Sequence, residues 1–233
     1  MITVVTWNVL HRIHADNWAS EIADRWPGES DRIAAVTARV RKRPERIIAL
    51  QEVSGDQLAS LRLSLPDRVF HVLDYPRVPR PRRLADPLAD RSESLVLIAD
   101  ADARLLTAEP FATDPGKGLL AVEADGITVV ATHVTGDTRR GPQLARLAEV
   151  AAAGPSILLG DFNVDRAVLA DALGPEFTVP AHPYGSVPTR PRTAGAKSQF
   201  IDHVVAHGVP VRDLQVEDVA GESDHNLVTA LVG

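Results

Sequence analysis

The 233-residue sequence contains no cysteine, which excludes disulfide bonds, thiolate zinc sites, thiol nucleophiles and iron–sulfur clusters. A metal ion would therefore need oxygen or imidazole ligands. Aromatic residues make up only 4% of the chain, and no uncharged apolar run is long enough to cross a bilayer. The first residues lack the pattern of a secretory signal. We therefore expect a cytoplasmic protein that does not span a membrane.

Charge and length narrow the possibilities further. The formal net charge is -6, which argues against a surface that binds nucleic acid everywhere but permits local basic patches. The length suits one large domain, and we expect a single domain over residues 1–233. Because the sequence starts at its first predicted strand and stops after its last, the chain could also be one domain of a longer multidomain protein.

Short apolar runs predict nine strands, at residues 3–6, 47–50, 69–73, 95–99, 119–122, 127–132, 156–160, 200–206 and 227–232. The pair Asp125-Gly126 between two of these runs predicts a hairpin. Helical periodicity covers residues 31–43, 56–65 and 143–152, with Ser30 as the N-cap of the first helix. Strands that alternate with helices, together with a hairpin, predict an α/β sandwich rather than a wholly parallel sheet.

Polar side chains follow one predicted strand after another. They are Asn8, Glu52, His133, Asp161, Asn163 and Asp202, and the pair Asp224-His225 precedes the last strand. Each one alone is typical of a turn or a helix cap, but rigid scaffolds present catalytic groups at strand ends, so together they indicate a site. Carboxylate and amide oxygens suit Mg²⁺ or Mn²⁺, and two histidines suit contact with phosphate oxygens. The pattern favours a phosphate ester as substrate.

Six motifs occur in an order that resembles the endonuclease/exonuclease/phosphatase superfamily. They are Thr6-Trp7-Asn8-Val9-Leu10, Leu50-Gln51-Glu52-Val53, Thr132-His133, Gly160-Asp161-Phe162-Asn163, Ile201-Asp202-His203 and Ser223-Asp224-His225. The resemblance covers nearly the whole chain. It implies a four-layered α/β sandwich, with two packed mixed β-sheets flanked by helices, and a phosphoesterase that depends on Mg²⁺ or Mn²⁺. The motifs look closer to the deadenylase, nocturnin and DNase-like branches than to abasic-site endonucleases.

The resemblance also implies a role for each motif residue. Glu52 would be the principal metal ligand, with Asn8 and Asp224 in direct or water-mediated contact with the ion. Asp161 would orient and deprotonate the attacking water, and Asn163 would donate a hydrogen bond to the phosphoryl group.

Two histidines are implied to bind the scissile phosphate, His225 and His133. Asp202 would hold the His225 imidazole in one tautomer and raise its pKa. His203 departs from the tyrosine or arginine of many relatives. Because side chains alternate along a strand, we expect His203 to point away from Asp202 and to be structural.

Loop arginines are candidate substrate ligands, above all Arg80, Arg82, Arg83 and Arg190, in segments that also contain Arg77, Arg91, Arg139, Arg140 and Arg192. They could line a groove for a phosphate backbone. Arginine outnumbers lysine 22 to 3 in this chain, so a solvated loop is an equally good interpretation.

Three functional hypotheses follow. The first is a phosphoesterase acting on RNA, as nuclease or end-processing enzyme, or on other single-stranded nucleic acid. The second is a small-molecule phosphatase for a nucleotide or sugar phosphate, which needs a closed pocket. The third, a catalytically inactive binding protein, is disfavoured because every motif residue is present. Trp18 or Trp26 could stack on a base, but a tryptophan at such a position more often covers the core, so the predicted site includes neither.

Overall fold

The computed structural model describes residues 1–18, 20–82, 88–191 and 197–233. The strands are β1 (Ile2–Asn8), β2 (Ile47–Ser54), β3 (Val69–Asp74), β4 (Glu93–Ala99), β5 (Arg104–Phe111), β6 (Asp114–Ala124), β7 (Ile127–His133), β8 (Ser156–Asp161), β9 (Phe177–Thr178), β10 (Asp202–His207), β11 (Val211–Glu217) and β12 (Leu227–Val232). The helices are α1 (Arg12–Asn17), α2 (Glu21–Arg25), α3 (Glu29–Arg41), α4 (Gly55–Ser64), α5 (Arg140–Ala151) and α6 (Arg166–Leu173).

The strands form two six-stranded sheets, ordered β11-β12-β1-β2-β4-β3 and β5-β6-β7-β8-β10-β9. Each sheet has one parallel pair near its centre, β1 with β2 and β7 with β8, and the other pairings are antiparallel. The two parallel pairs end on residues that carry the sequence motifs. The topology therefore indicates a site at the carboxyl ends of the two parallel pairs.

Apolar side chains form three main layers of core. Alternate residues of both sheets, such as Val4, Ile47, Val129 and Leu159, pack together between the sheets. The opposite face of the first sheet packs on α3 and α4, and the opposite face of the second sheet packs on α5 and α6. The predicted four-layered α/β sandwich is confirmed, because each sheet is buried on both faces.

The hairpin at Asp125-Gly126 is also confirmed. Ala124 pairs with Ile127, and Asp125 and Gly126 have φ angles of 50° and 74°, the left-handed conformations that a tight two-residue turn requires. Ser30 is not the N-cap of its helix, since α3 begins at Glu29 after Gly28, which forms no side-chain cap. Among the described residues, no helix is long and apolar enough to cross a membrane.

Candidate active site

Strand alternation directs four motif side chains into the space between the sheets. Asn8 lies on the side of β1 that faces the other sheet, as do Ile2 and Val4. His133 and Asp161 likewise lie on the sides of β7 and β8 that face the first sheet. His133 pairs with Asp161 in the parallel register, and Asp202 pairs with Asp161 on the other side. Because residues two apart on a strand share a face, the apolar inter-sheet core leads directly to this polar end.

Glu52 reaches the same space through a β-bulge. Ile48, Leu50 and Val53 all pack on the helix side of β2, so one extra residue lies between Leu50 and Val53, where the register with β4 shifts. Glu52 has a φ of 58°, a left-handed conformation that costs an ordinary residue about 1–3 kcal/mol. Because of the bulge, Glu52 does not join the residues of β2 that face the helices.

The Asn8 amide holds two carboxylates together. Its nitrogen donates to Glu52 Oε1 and to Asp161 Oδ2, both at 3.2 Å, while its oxygen accepts from the Leu10 N–H at 3.0 Å. Glu52 Oε2 accepts from the His11 N–H at 3.1 Å. Because the Asn8 oxygen already accepts a hydrogen bond, the side chain serves to position the two carboxylates. This arrangement favours a water-mediated contact between Asn8 and a metal ion over a direct one.

Asp202, His225 and Asp161 form a buried chain. Asp202 accepts from His225 Nδ1 at 2.9 Å, and His225 Nε2 lies 3.8 Å from Asp161 Oδ2. Burial lowers the pKa of His225, but the charges of Asp202 and Asp161 outweigh burial and raise that pKa to about 9. Burial and the charge of Asp202 raise the pKa of Asp161 to about 6. This chain therefore pairs an imidazolium with a carboxylate that titrates near neutral pH.

His133 lies beside a lysine that the motifs do not include. Lys117 Nζ is 3.0 Å from Nδ1 of His133 and also contacts Nε2, and His133 Nε2 is 3.4 Å from Asp161 Oδ2. Burial and the Lys117 charge hold the pKa of His133 well below its usual range. His133 is therefore neutral at neutral pH. Lys117 precedes a predicted strand instead of following one, so the strand-end pattern did not reveal it.

His14 and Glu93 also join the site without having been predicted. His14 Nε2 lies 3.0 Å from Glu93 Oε2, and single ligand atoms of His14, Glu52 and Glu93 lie within 4.8 Å of one another. Burial raises the pKa of Glu52, but the charges of His14 and Lys117 outweigh it and hold that pKa well below its usual range. Glu93 stands at the start of an apolar run, whereas most of the expected site residues follow such runs.

Asp224 and Arg190 form an ion pair at the edge of the site. Arg190 Nη2 donates to Asp224 Oδ2 at 3.0 Å, so this predicted substrate ligand is bound to a predicted metal ligand. Asp224 Oδ1 is buried, and within the described residues it has no hydrogen-bond partner. An unpartnered carboxylate oxygen, together with the ionised Glu52, fits a hard divalent cation such as Mg²⁺ or Mn²⁺.

Asn163 lies next to the Asp161 carboxylate. Its N–H donates to Asp161 Oδ1 at 2.9 Å, its side-chain nitrogen donates to the Val134 carbonyl at 2.9 Å, and its φ is 53°. Asparagine tolerates this left-handed conformation better than most residues. His203 points to the helix side of β10, where Nε2 lies 2.9 Å from the Val164 carbonyl and the ring packs against Phe162. The expected orientation of His203 is confirmed.

A cleft of about 1280 Å³ opens over these residues and is lined by Glu52, Asp161, Asn163, Asp224 and His225. Its walls also carry Arg77, Arg80, Arg82, Arg91, Lys117, Arg139 and Arg190. Arg77 and Arg139 belong to opposite segments and both bind the buried carboxylate of Asp114, at 2.8 and 3.3 Å. Arg83 and Arg192 lie outside the described residues, and Arg140 is not part of the lining.

The fold matches solved structures of varied function at low identity. Zebrafish (D. rerio) TDP2 with a single-strand DNA product is 13% identical, with a TM-score of 0.71, covering 100% of this chain and 98% of that chain. A Bacteroides thetaiotaomicron mannosyl-6-phosphatase is 16% identical, with a TM-score of 0.70 and complete coverage of both chains. The human nocturnin catalytic domain with bound sulfate is 16% identical, with a TM-score of 0.68 and 100% and 93% coverage.

Curated protein sequences give no match to this chain. The family model of the Endonuclease/Exonuclease/phosphatase family matches residues 5–225, a range that runs from β1 to His225 and contains all the residues of the buried polar centre. Members of this family hydrolyse phosphate esters. With the fold, the motif order and the family match in agreement, this chain belongs to the Endonuclease/Exonuclease/phosphatase family of phosphoester hydrolases.

Proposed function

We propose that this protein is a Mg²⁺- or Mn²⁺-dependent phosphoesterase that cleaves single-stranded nucleic acid, with RNA as the preferred substrate. The observation that carries this proposal is the row of arginines along the cleft that leads to the carboxylate–imidazole centre. The cleft lining carries seven cationic side chains against five carboxylates in a chain whose overall charge is -6, and phosphate backbones bind where lysine and arginine cluster.

The proposed chemistry assigns each buried group one task. Glu52 and Asp224 would hold a divalent ion, which supplies positive charge to polarise the phosphoryl oxygens. Asp161, with a pKa of about 6, accepts a proton from the attacking water at neutral pH. Asn163 donates a hydrogen bond from its side chain to the phosphoryl group as negative charge develops.

The two histidines contact the phosphate in different charge states. His225, whose pKa is about 9, is cationic and donates from Nε2 while Asp202 holds Nδ1. His133 is neutral, because burial and Lys117 lower its pKa, so it contributes a hydrogen bond without a full charge. Lys117 itself supplies a second positive charge beside the carboxylates. In-line attack forms a bond between phosphorus and the water oxygen as the bond between phosphorus and the ester oxygen breaks, and the leaving oxygen takes up a proton from solvent.

A small-molecule phosphatase is the second candidate, since a mannosyl-6-phosphatase shares the fold with a TM-score of 0.70. That function calls for a pocket that encloses its substrate. Small-molecule sites usually measure about 300–1,000 Å³, and the cleft here is larger, at about 1280 Å³. The size and the arginine lining favour the polymer.

Product analysis by mass spectrometry tests the proposal. The protein is incubated with Mg²⁺ or Mn²⁺ and single-stranded RNA, single-stranded and duplex DNA, 3′-phosphorylated ends, free nucleotides and sugar phosphates. We expect metal-dependent cleavage of single-stranded RNA that falls at least ~10³-fold in Glu52→Gln. Glu149→Gln makes the same change at a side chain that is 71% exposed on α5, and it should retain full activity.

Two results would contradict the proposal. Hydrolysis confined to free nucleotides or sugar phosphates would identify a small-molecule phosphatase. Cleavage that persists unchanged in Glu52→Gln, or in EDTA, would remove Glu52 and the divalent ion from the mechanism.

A further inference from the structure

Trp18 is the exposed one of the three tryptophans. Trp7 is fully buried, and Trp26 is half-buried against the small cluster of Leu10, Ala15 and Ile22, whereas 71% of Trp18 is exposed. The expectation that Trp18 covers the core is therefore wrong. Its backbone N–H caps α1 through the His14 carbonyl, and its indole lies on the wall of the cleft. An exposed indole beside a substrate cleft offers a stacking surface.

The position of Trp18 is fixed by its neighbour Asn17. The Asn17 side chain donates to the Arg80 carbonyl at 3.0 Å and accepts from the Arg82 N–H at 2.8 Å. These two bonds attach the loop of Arg80 and Arg82 to the end of α1. The Arg82 guanidinium carbon lies 5.2 Å from the centre of the Trp18 ring. One indole face is thus covered by a cation, and the pair forms a preorganised aromatic and cationic surface.

Trp18 lies one helical turn from His14, which belongs to the reaction centre. Trp18 follows His14 by four residues, so the two side chains lie on one side of α1 about one turn apart. His14 contacts Glu93 beside Glu52. Trp18, His14 and Glu52 all line the same cleft. A chain whose phosphate lies at the centre therefore runs along a wall that also carries the indole.

We infer that Trp18 and Arg82 form a stacking subsite for the unpaired base of a nucleotide whose phosphate lies in the cleft. This inference rests on the proposed function and specifies the substrate class of the same site. Stacking on an aromatic ring is tolerant of base identity because every base has a π-face. A base in a duplex is covered on both faces by its neighbours, so the subsite selects single strands.

The test measures binding in the absence of turnover. The Asp161→Asn protein is titrated into an end-labelled short oligoadenylate and into an end-labelled, backbone-matched chain of abasic sugars. The anisotropy of the label gives the affinity of each variant, and quenching of tryptophan fluorescence reports contact with Trp18. We expect oligoadenylate to quench the fluorescence and to bind about 5- to 150-fold more weakly when Trp18→Ala is added. Trp18→Phe should keep most of the affinity, and the abasic chain should bind Trp18→Ala and its parent equally.

Trp26→Phe is the control variant for the fluorescence signal, since the Trp26 indole donates to the Gly221 carbonyl. This variant should show the same quenching as its parent. Equal affinity of Trp18→Ala and its parent for oligoadenylate would overturn the inference, and so would an equal loss for the abasic chain or for a sugar phosphate. Absence of binding by either chain would overturn it too. Base-dependent binding without hydrolysis of any substrate would refute the proposed function and leave the subsite standing.

Discussion

Both carboxylate oxygens of Asp202 accept from Nδ1 of His225, at 2.9 and 3.1 Å, in a fully buried pair. The contact fixes the imidazole ring so that Nε2 faces Asp161. It also explains why an almost completely buried histidine has a pKa of about 9, since the charges of Asp202 and Asp161 outweigh the cost of burial.

Asp202→Asn should therefore lower kcat strongly. An amide cannot supply the charge that stabilises the imidazolium, so we expect kcat to fall by about 10²- to 10⁴-fold and the pKa of His225 to drop below 9. Steady-state kinetics and NMR titration of the imidazole would measure the two effects. Asp213→Asn, at an exposed position of β11, should change neither. A normal kcat with a shifted His225 pKa would separate this pair from catalysis.

Arg80 and Arg82 should make binding of single strands depend on salt. For single strands, each phosphate contact contributes about 0.7 to the slope of log K against log salt concentration. The double variant Arg80→Gln/Arg82→Gln should thus reduce that slope by roughly 1.4. Fluorescence anisotropy of labelled RNA, recorded at salt concentrations from about 50 to 300 mM, would measure this slope. The paired control Arg62→Gln/Arg104→Gln removes two exposed charges outside the cleft, and an equal effect there would refute a specific basic groove.

Replacing Trp7 should lower both the stability of the protein and its activity. Its indole donates to the His225 carbonyl at 2.9 Å from a fully buried position in β1. Trp7→Phe leaves that carbonyl without its donor, which should cost about 1–3 kcal/mol of unfolding free energy and lower kcat as His225 loses its support. Urea denaturation and kinetics measure both. Trp26→Phe, which removes a half-buried bond, should cost less and leave kcat unchanged.

His203 should make the protein less stable in acid. Burial lowers its folded-state pKa to about 4, against 6.5 for an exposed histidine. Between these values the unfolded state binds a proton that the folded state does not, so stability falls as pH decreases from about 6.5 to about 4, by about 3 kcal/mol in all. Urea unfolding from pH 7 to 4.5 tests this. His203→Gln should show a shallower decline over this range, and an identical slope would contradict the prediction.

The nine predicted strands are all present, because each is a run of apolar residues buried on one or both faces. Among the described residues, four of the six elements that the sequence patterns missed had weaker signals. Strand β5 is an edge strand whose residues are mostly exposed and include Pro110, and β11 is an edge strand with an irregular register. Helices α1 and α2 are six and five residues long, too short for a helical period to show.

The motif residues of the site could be found from sequence, but its geometry could not. The bulge at Glu52 depends on the register with β4, which no local pattern specifies. Lys117 and Glu93 enter through strand pairing and loop packing between distant segments. The contact of Arg77 and Arg139 with Asp114 is likewise a product of the tertiary fold, in which one buried carboxylate binds two cationic loops.

The polar centre is divided between the sheets, since Asn8, Glu52 and His225 belong to the first sheet and its border, and His133, Asp161 and Asp202 to the second. Neither sheet alone contains both Glu52, the proposed metal ligand on β2, and the Asp202–Asp161 pair. The full set of groups is therefore assembled only when the two sheets are docked. During refolding, the ability to turn over substrate should return no earlier than the docking of the sheets.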